Sequence, residues 1–152
     1  MVNVEFFGGL RHCETMDLKI EKFNSSPEGI YVTHERAKQR SDKRDSKFLI
    51  PRAKANGETN FANIVESYLQ AIKEDLGKFC GRVFWTGKEQ TFVDCPLGKN
   101  IVGKIPHEMA KYLKKPNVEE FTFHSYRRSS ATAAADSGAT PQQMIDFLDW
   151  QM

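Results

Sequence analysis

Apolar residues at three- and four-residue intervals set out one long helix near the middle of the chain. In "ETNFANIVESYLQAIKEDLG", Phe61, Ile64, Val65, Tyr68, Ile72 and Leu76 fall on one helical face, and Gly77 supplies the stop. Upstream the pattern is different. "LKIEKFN", "GIYVTHE" and "SKFLIP" are β-like runs, separated by the turn residues "NSSPEG" and by a charged stretch. They predict a three-stranded antiparallel sheet. "LRHCETMDLK" follows a Gly-Gly turn and predicts a short helix with Leu10, Cys13 and Met16 inward. "GRVFWTG" fits either a buried strand or a short irregular piece. Downstream, "KIPHEMAKYLKK" predicts a helix with Pro106 in its first turn and Pro116 just past its end. "HSYRRSSATAAADSG" predicts a helix ended by Gly138. "ATPQQMIDFLDW" carries a start signature: Thr140 as N-cap, Pro141 in the first turn and Gln143 at the capping-box position. The expected fold is α+β, mostly helical with one small three-stranded antiparallel sheet.

A chain of 152 residues fits one domain, residues 1–152, and can bury a real core. A hydrophobic share of 39% and a charged share of 28% are those of a globular protein. No run approaches the roughly 20 apolar residues of a membrane span. "MVNVEFFGGLRHCE" lacks the sections of a signal peptide. Three widely spaced cysteines, Cys13, Cys80 and Cys95, read as reduced thiols, with Cys13 in the core. The expectation is therefore an intracellular protein.

The net charge of +2 is small, but its distribution is uneven. "HERAKQRSDKRDSKFLIPRAK" sets Arg36, Lys38, Arg40, Lys43, Arg44, Lys47, Arg52 and Lys54 against Glu35, Asp42 and Asp45. "KYLKK" and "YRR" add further basic spots. Such a stripe either solvates a hairpin or binds phosphate while the whole domain stays near neutral.

Most site chemistries lack their residues. There is no CxxC, HxxxH or HExxH, and His107-Glu108 is followed by Ala110 and Lys111 where a second zinc histidine would be needed. "GGLRHCE" lacks the Lys-Ser/Thr of a phosphate-cradling loop. His12 and Cys13 are adjacent and point apart on a helix, so they make a poor nucleophile pair. Neither a metal nor a small-molecule cofactor is expected. What remains is arginine and histidine. His124 and Arg127 in "FHSYRRSSAT" are three apart and share a helix face. Arginine offers a planar fork of donors for two phosphate oxygens, and histidine can donate or pass a proton near neutral pH. The small residues that follow suit a helix that packs deeply. A deep Arg127 needs a counter-charge, either a carboxylate such as Glu14 or a bound phosphate.

These motifs together resemble the tyrosine recombinases, the phage-integrase-like enzymes that break and rejoin DNA, and most of all their eukaryotic Crypton-type branch. "FTFHSYRRSSATAAADSGATPQQMIDFLDW" is similar to the family's His-x-x-Arg core, with His124 and Arg127 in the motif. "GGLRHCE" is similar to the Gly-Leu-Arg-x-x-Glu turn, with Arg11 and Glu14. "CPLGKNIVGKIPHEMAKYL" resembles the linking region, and "LDW" places Trp150 at the family's His/Trp position. The resemblance implies a mechanism. Arg11, His124, Arg127 and Trp150 would hold the scissile phosphate. Lys38, or Lys43 as runner-up, would protonate the leaving 5′-oxygen from a hairpin turn. A tyrosine would attack phosphorus without any metal. It also implies double-stranded DNA as partner, self-association on that DNA, a nuclear location, and backbone contacts from Arg36, Arg40, Lys43, Arg44 and Arg128.

The chain departs from the pattern at its end. The nucleophilic tyrosine should follow Trp150, and the sequence stops at Met152. Tyr31, Tyr68, Tyr112 and Tyr126 lie elsewhere, with Tyr126 expected in the core. The family's N-terminal clamp domain is also missing. The expectation is a catalytic domain truncated before its nucleophile. A non-catalytic DNA- or protein-binding module derived from a transposon recombinase is the alternative.

Overall fold

The computed structural model describes residues 1–35, 45–52, 54–55 and 59–148. Among the described residues the architecture is mixed α+β, with six α-helices and a three-stranded antiparallel sheet. In chain order, α1 spans Val2–Gly8 and α2 His12–Asp17. A 3₁₀ turn at Ile20–Lys22 leads into β1, Phe23–Ser25. Strands β2, Gly29–Glu35, and β3, Asp45–Pro51, complete the sheet in the order β1-β2-β3.

The sheet's inner face follows from strand alternation. Ile30 lies opposite Ile50, and Val32 opposite Phe48, and all four are buried. The same face receives Val4 of α1, Leu10, Leu18, and Ala62 and Val65 of α3, which spans Phe61–Leu76. A single core thus forms between the sheet and helices drawn from both sides of it in sequence. At Gly29, φ is 154°, and a Cβ would come within 2.1 Å of the Ile50 carbonyl oxygen. Only glycine lets β2 start this close to β3.

Helix α3 starts as its residues suggest. Asn60 is the N-cap and accepts from the Asn63 N–H at 3.0 Å, and Gly77 ends the helix at φ 62°. Arg52, just past β3, forks onto Glu66 of α3 at 2.9 and 2.6 Å, and the Ser25 hydroxyl donates to the same carboxylate at 2.6 Å. This joint locks α3 to the sheet and holds the Glu66 carboxyl down at about 2, first through the Arg52 hydrogen bonds. Ile64, expected inward, is 53% exposed, because the buried stripe of α3 runs through Ala62, Val65 and Ile72.

Two short ladders flank α3 in sequence. β4, Lys54–Ala55, pairs with β5, Thr59–Asn60. β6, Trp85–Lys88, pairs with β7, Thr91–Pro96. Val83, Phe84 and Trp85 are buried, so "GRVFWTG" combines an irregular buried entry with a strand. The Tyr68 hydroxyl fixes that entry by donating to the Val83 carbonyl at 3.1 Å and accepting from the Trp85 N–H at 3.3 Å.

The C-terminal part is helical. α4 spans Lys99–Tyr112, α5 Phe123–Asp136 and α6 Pro141–Leu148. α4 begins five residues before the expected start, which places Pro106 inside the helix. A proline there forfeits a backbone bond to residue 102 and strains the turn. The helix runs on because Val102, Pro106 and Ala110, at four-residue spacing, are all buried. α6 begins as expected: the Thr140 N–H donates to Gln143 Oε1 at 2.8 Å, and the Gln143 N–H donates back to Thr140 Oγ1 at 3.3 Å. α5 packs on α1, α4 and α6. Its deep burial is limited to Phe123 and Ser130, and the alanine-rich second half stays half-buried or exposed. Among the described residues, no helix is long and apolar enough to cross a membrane.

Candidate functional site

The region to which the expected site residues point begins at Gly9. This residue caps α1 in the left-handed conformation, φ 55°, and its N–H bonds the Glu5 carbonyl. The turn it allows makes Arg11 the N-cap of α2. Glu14, at the third helical position, accepts from the Arg11 N–H at 2.7 Å and from the Arg11 guanidinium at 3.1 Å. Glu14 is buried, and the Arg11 side chain keeps 30% of its surface exposed. Glu14 therefore orients Arg11, the other residue of the Gly-Leu-Arg-x-x-Glu stretch; it was one of the two counter-charges weighed for Arg127, a bound phosphate being the other. Cys13 lies on the outside of this helix, because the short α2 turns Glu14 and Thr15 inward instead.

Helix α5 brings the second group. Thr122 and Ser125 form its capping box, and the Thr122 N–H donates to Ser125 Oγ at 3.1 Å. His124 and Arg128 are exposed. Arg127 turns toward the start of the chain. One of its terminal nitrogens donates to the Gly9 carbonyl and the other to the Leu148 carbonyl at the end of α6. That second contact answers an orphan acceptor at the negative end of a helix. Arg127 thus ties α5 to the turn that carries Arg11 and to α6, which were separate in sequence.

Between the two groups sits His12. Its ring stacks on Phe123, with centroids 4.5 Å apart and planes 21° apart. It also lies over Gly103 of α4, where a Cβ would come within 3.5 Å of His12 Cε1. Burial lowers the basicity of His12, the Lys99 ammonium lowers it further, the Lys99 backbone raises it in part, and His124 adds a smaller lowering. His12 and Lys99 are the neighbours that the sequence reading did not select. The one available signal was Lys99 behind Gly98, an N-cap without a side-chain cap.

On the inward face of α1 lies Glu5. The residue is 0% exposed, and neither carboxylate oxygen has a hydrogen-bond partner. Burial pushes its carboxyl up to about 8. The nearby Thr15 hydroxyl and the Met1 amino group offset part of that push. Tyr126, half-buried, reaches Met109 Sδ at 3.1 Å from its hydroxyl. Burial, and then the Glu5 charge, push the Tyr126 phenol up to about 12.

Lys38, Arg36, Arg40, Lys43, Arg44 and Trp150 lie outside the described residues. The strands that lead to the first five are described, ending at Glu35 and resuming at Asp45. A groove of about 710 Å³ opens beside the end of β2. Among the described residues, Lys19, Lys22 and Arg82 line it together with Glu14, Asp17 and Glu35. Among the described residues, no group of three or more His, Cys, Asp or Glu is placed to hold a metal ion. The chain matches no protein-family model, and no curated protein matches it.

Proposed function

We propose that this chain is the DNA-binding core of a tyrosine-recombinase-like domain, and that it grips duplex DNA through its phosphates. One observation carries the reading. Arg127, from the His-x-x-Arg stretch, is anchored on the carbonyl of Gly9, two residues from Arg11, although 118 positions separate Arg127 from Gly9. An arginine has five N–H donors. Two of them on fixed carbonyls set the direction of the fork before any ligand arrives. Arg11, His124 and Arg127 would hold one phosphate, with Trp150 beside them and Lys38 or Lys43 delivering the proton. Arg36, Arg40, Lys43, Arg44 and Arg128 would contact the backbone on either side, with self-association along the same DNA. The nucleus is the compartment that such a partner implies.

A second reading, a binding module without catalysis, is favoured by the tyrosines. The Tyr126 phenol is half-buried on Met109 and pushed up to about 12. The Tyr68 hydroxyl is held by the backbone of Val83 and Trp85. Neither is set to attack phosphorus, which needs an activated, positioned nucleophile. Both readings share phosphate-held DNA, so binding is the first test. Duplex affinity should fall about 100-fold between roughly 50 and 200 mM salt if about four phosphates are held. Arg11→Ala combined with His124→Ala should reduce the salt slope by about one, and an affinity indifferent to salt in the unaltered protein would overturn the proposal. With a nicked suicide substrate, no covalent adduct should form. An adduct that survives denaturation and disappears in Tyr126→Phe would refute the second reading.

A further inference from the structure

We propose that Glu5 is a proton-operated latch on the phosphate grip: once it loses its proton, α1 parts from α5, and the Gly9 carbonyl no longer aligns Arg127. The link to DNA rests on the reading above, whereas the latch itself stands on the packing of α1.

A buried acid and a short helix make up the latch. Glu5 is 0% exposed, and among the described residues neither of its carboxyl oxygens has a hydrogen-bond partner. The Thr15 hydroxyl of α2 is equally buried and also without one. A neutral carboxylic acid tolerates such a place. A carboxylate does not, because its charge forfeits hydration without compensation. The element that hides the acid is seven residues long, too short to persist as a free helix. Side-chain bonds from α5 tie it down: the Phe6 carbonyl accepts from the Ser130 hydroxyl at 2.5 Å, and the Gly9 carbonyl from Arg127. Both carbonyls can turn to water instead. The rest of the hold is apolar, through Val4 in the core, Phe7 with its ring 5.2 Å from that of Phe61, and Gly8 against Phe48. Opening α1 hydrates Glu5, sends its proton to solvent and unties Gly9 in one movement.

The groups around Glu5 set the direction of the response. The Met1 amino group, at the start of α1, and the Thr15 hydroxyl favour the carboxylate. The Tyr126 phenol of α5, pushed up to about 12, stays neutral. Also on α5, His124 and Arg128 are exposed, and Arg127 reaches the Gly9 carbonyl. On α2, Arg11 and Glu14 bond each other. From the sheet, Phe48 of β3 stands against Gly8 and the His34 ring of β2 lies 5.9 Å from that of Phe48, while Asp45 and Lys47 of β3 are exposed. α3 presents Phe61, Ala62 and Val65, which are apolar. Burial outweighs the groups that favour the charge and raises the acid to about 8. A raised value in the closed state means that closure is favoured below that pH and lost as pH rises through it.

The test follows methyl resonances of the full chain from about pH 6.5 to about pH 9.5. Val4 reports on α1, and Ile72, buried on α3, reports on the rest of the fold. Val4 should move with a midpoint of about 8 while Ile72 holds its place. In Glu5→Gln neither should move. In Ser130→Ala, which removes one tie between α5 and α1, the Val4 midpoint should fall. A steady Val4 overturns the latch, since the charge is then accommodated in place. Loss of Val4 and Ile72 together also overturns it, since the whole fold then opens at once. The second measurement is affinity for a short DNA duplex at fixed salt. It should fall about tenfold from about pH 7 to about pH 9, where roughly a tenth of the molecules remain closed, and it should hold in Glu5→Gln. An unchanged affinity in a protein whose Val4 moves overturns the coupling to Arg127. Absence of duplex binding at about pH 7 overturns the DNA reading, and the Val4 titration then decides the latch alone.

Discussion

Replacing Glu5 with glutamine should remove most of the protein's loss of stability between pH 5 and 8. The carboxyl is raised from 4.5 to about 8 in the folded state, and in the unfolded chain it returns to its ordinary value. The folded state therefore holds a proton that the unfolded state has released throughout that interval. A raised folded value means that stability is full below 4.5 and is lost as pH rises to about 8. The slope is about 1.4 kcal/mol per pH unit. Over about three units the loss is roughly 3–5 kcal/mol, a large part of the 5–15 kcal/mol that holds a typical domain. The other groups around Glu5 do not mimic this. The Met1 amine is lowered by burial and works in the opposite direction, and the Tyr126 phenol titrates far higher. Glutamine keeps the shape and cannot ionise. Urea denaturation of both proteins at each pH gives the difference in unfolding free energy, in which unrelated groups cancel. That difference should grow steadily in favour of Glu5→Gln as pH rises. Parallel pH profiles would refute the reasoning and mean that the carboxylate is solvated or paired when charged.

Arg127→Met should cost roughly 2–4 kcal/mol, since it leaves the Gly9 and Leu148 carbonyls without their charged donor. A loss below about 0.5 kcal/mol would show that the fork adds nothing to the fold. Gly29→Ala should cost about 3 kcal/mol or more, because the new Cβ meets the Ile50 carbonyl at 2.1 Å. Gly77→Ala, where nothing lies within 4 Å of the added atom, should cost only about 1 kcal/mol for its left-handed backbone. Thermal unfolding of the pair separates steric from conformational cost.

Local signals were the legible ones. Thr140, Pro141 and Gln143 announced α6 because a cap is a matter of adjacent residues. The same holds for Gly77 at the end of α3. What depended on distant partners was hidden. α1 was not foreseen, since "VNVEFFG" is seven residues long and buries a glutamate on its inward face. The β6–β7 hairpin was not foreseen either, because its turn uses Glu89 at φ 58° where glycine or asparagine is the usual cue. Ile64, Cys13 and Pro106 had plausible local places, and tertiary packing decided otherwise for each. In the candidate site, the order of Arg11, His124 and Arg127 could be read from motifs. The carbonyls that hold Arg127 could not, because a backbone oxygen has no letter in a sequence. His12 meets α5 and α4 through Phe123 and Gly103, which are far from it in sequence.

The anchoring of α1 by α5 also orders events in time. The carbonyl of Phe6 accepts from the Ser130 hydroxyl at 2.5 Å, across 124 positions, and the Gly9 carbonyl waits for Arg127. On a ribosome adding about 5–20 residues per second, those partners emerge roughly ten seconds after the first helix. Val4 can meet the sheet earlier, since the strands with Ile30, Val32 and Ile50 are made well before α5. Whichever contact covers Glu5, folding near neutral pH takes up a proton there, so the completed fold consumes an ion from the surrounding solution.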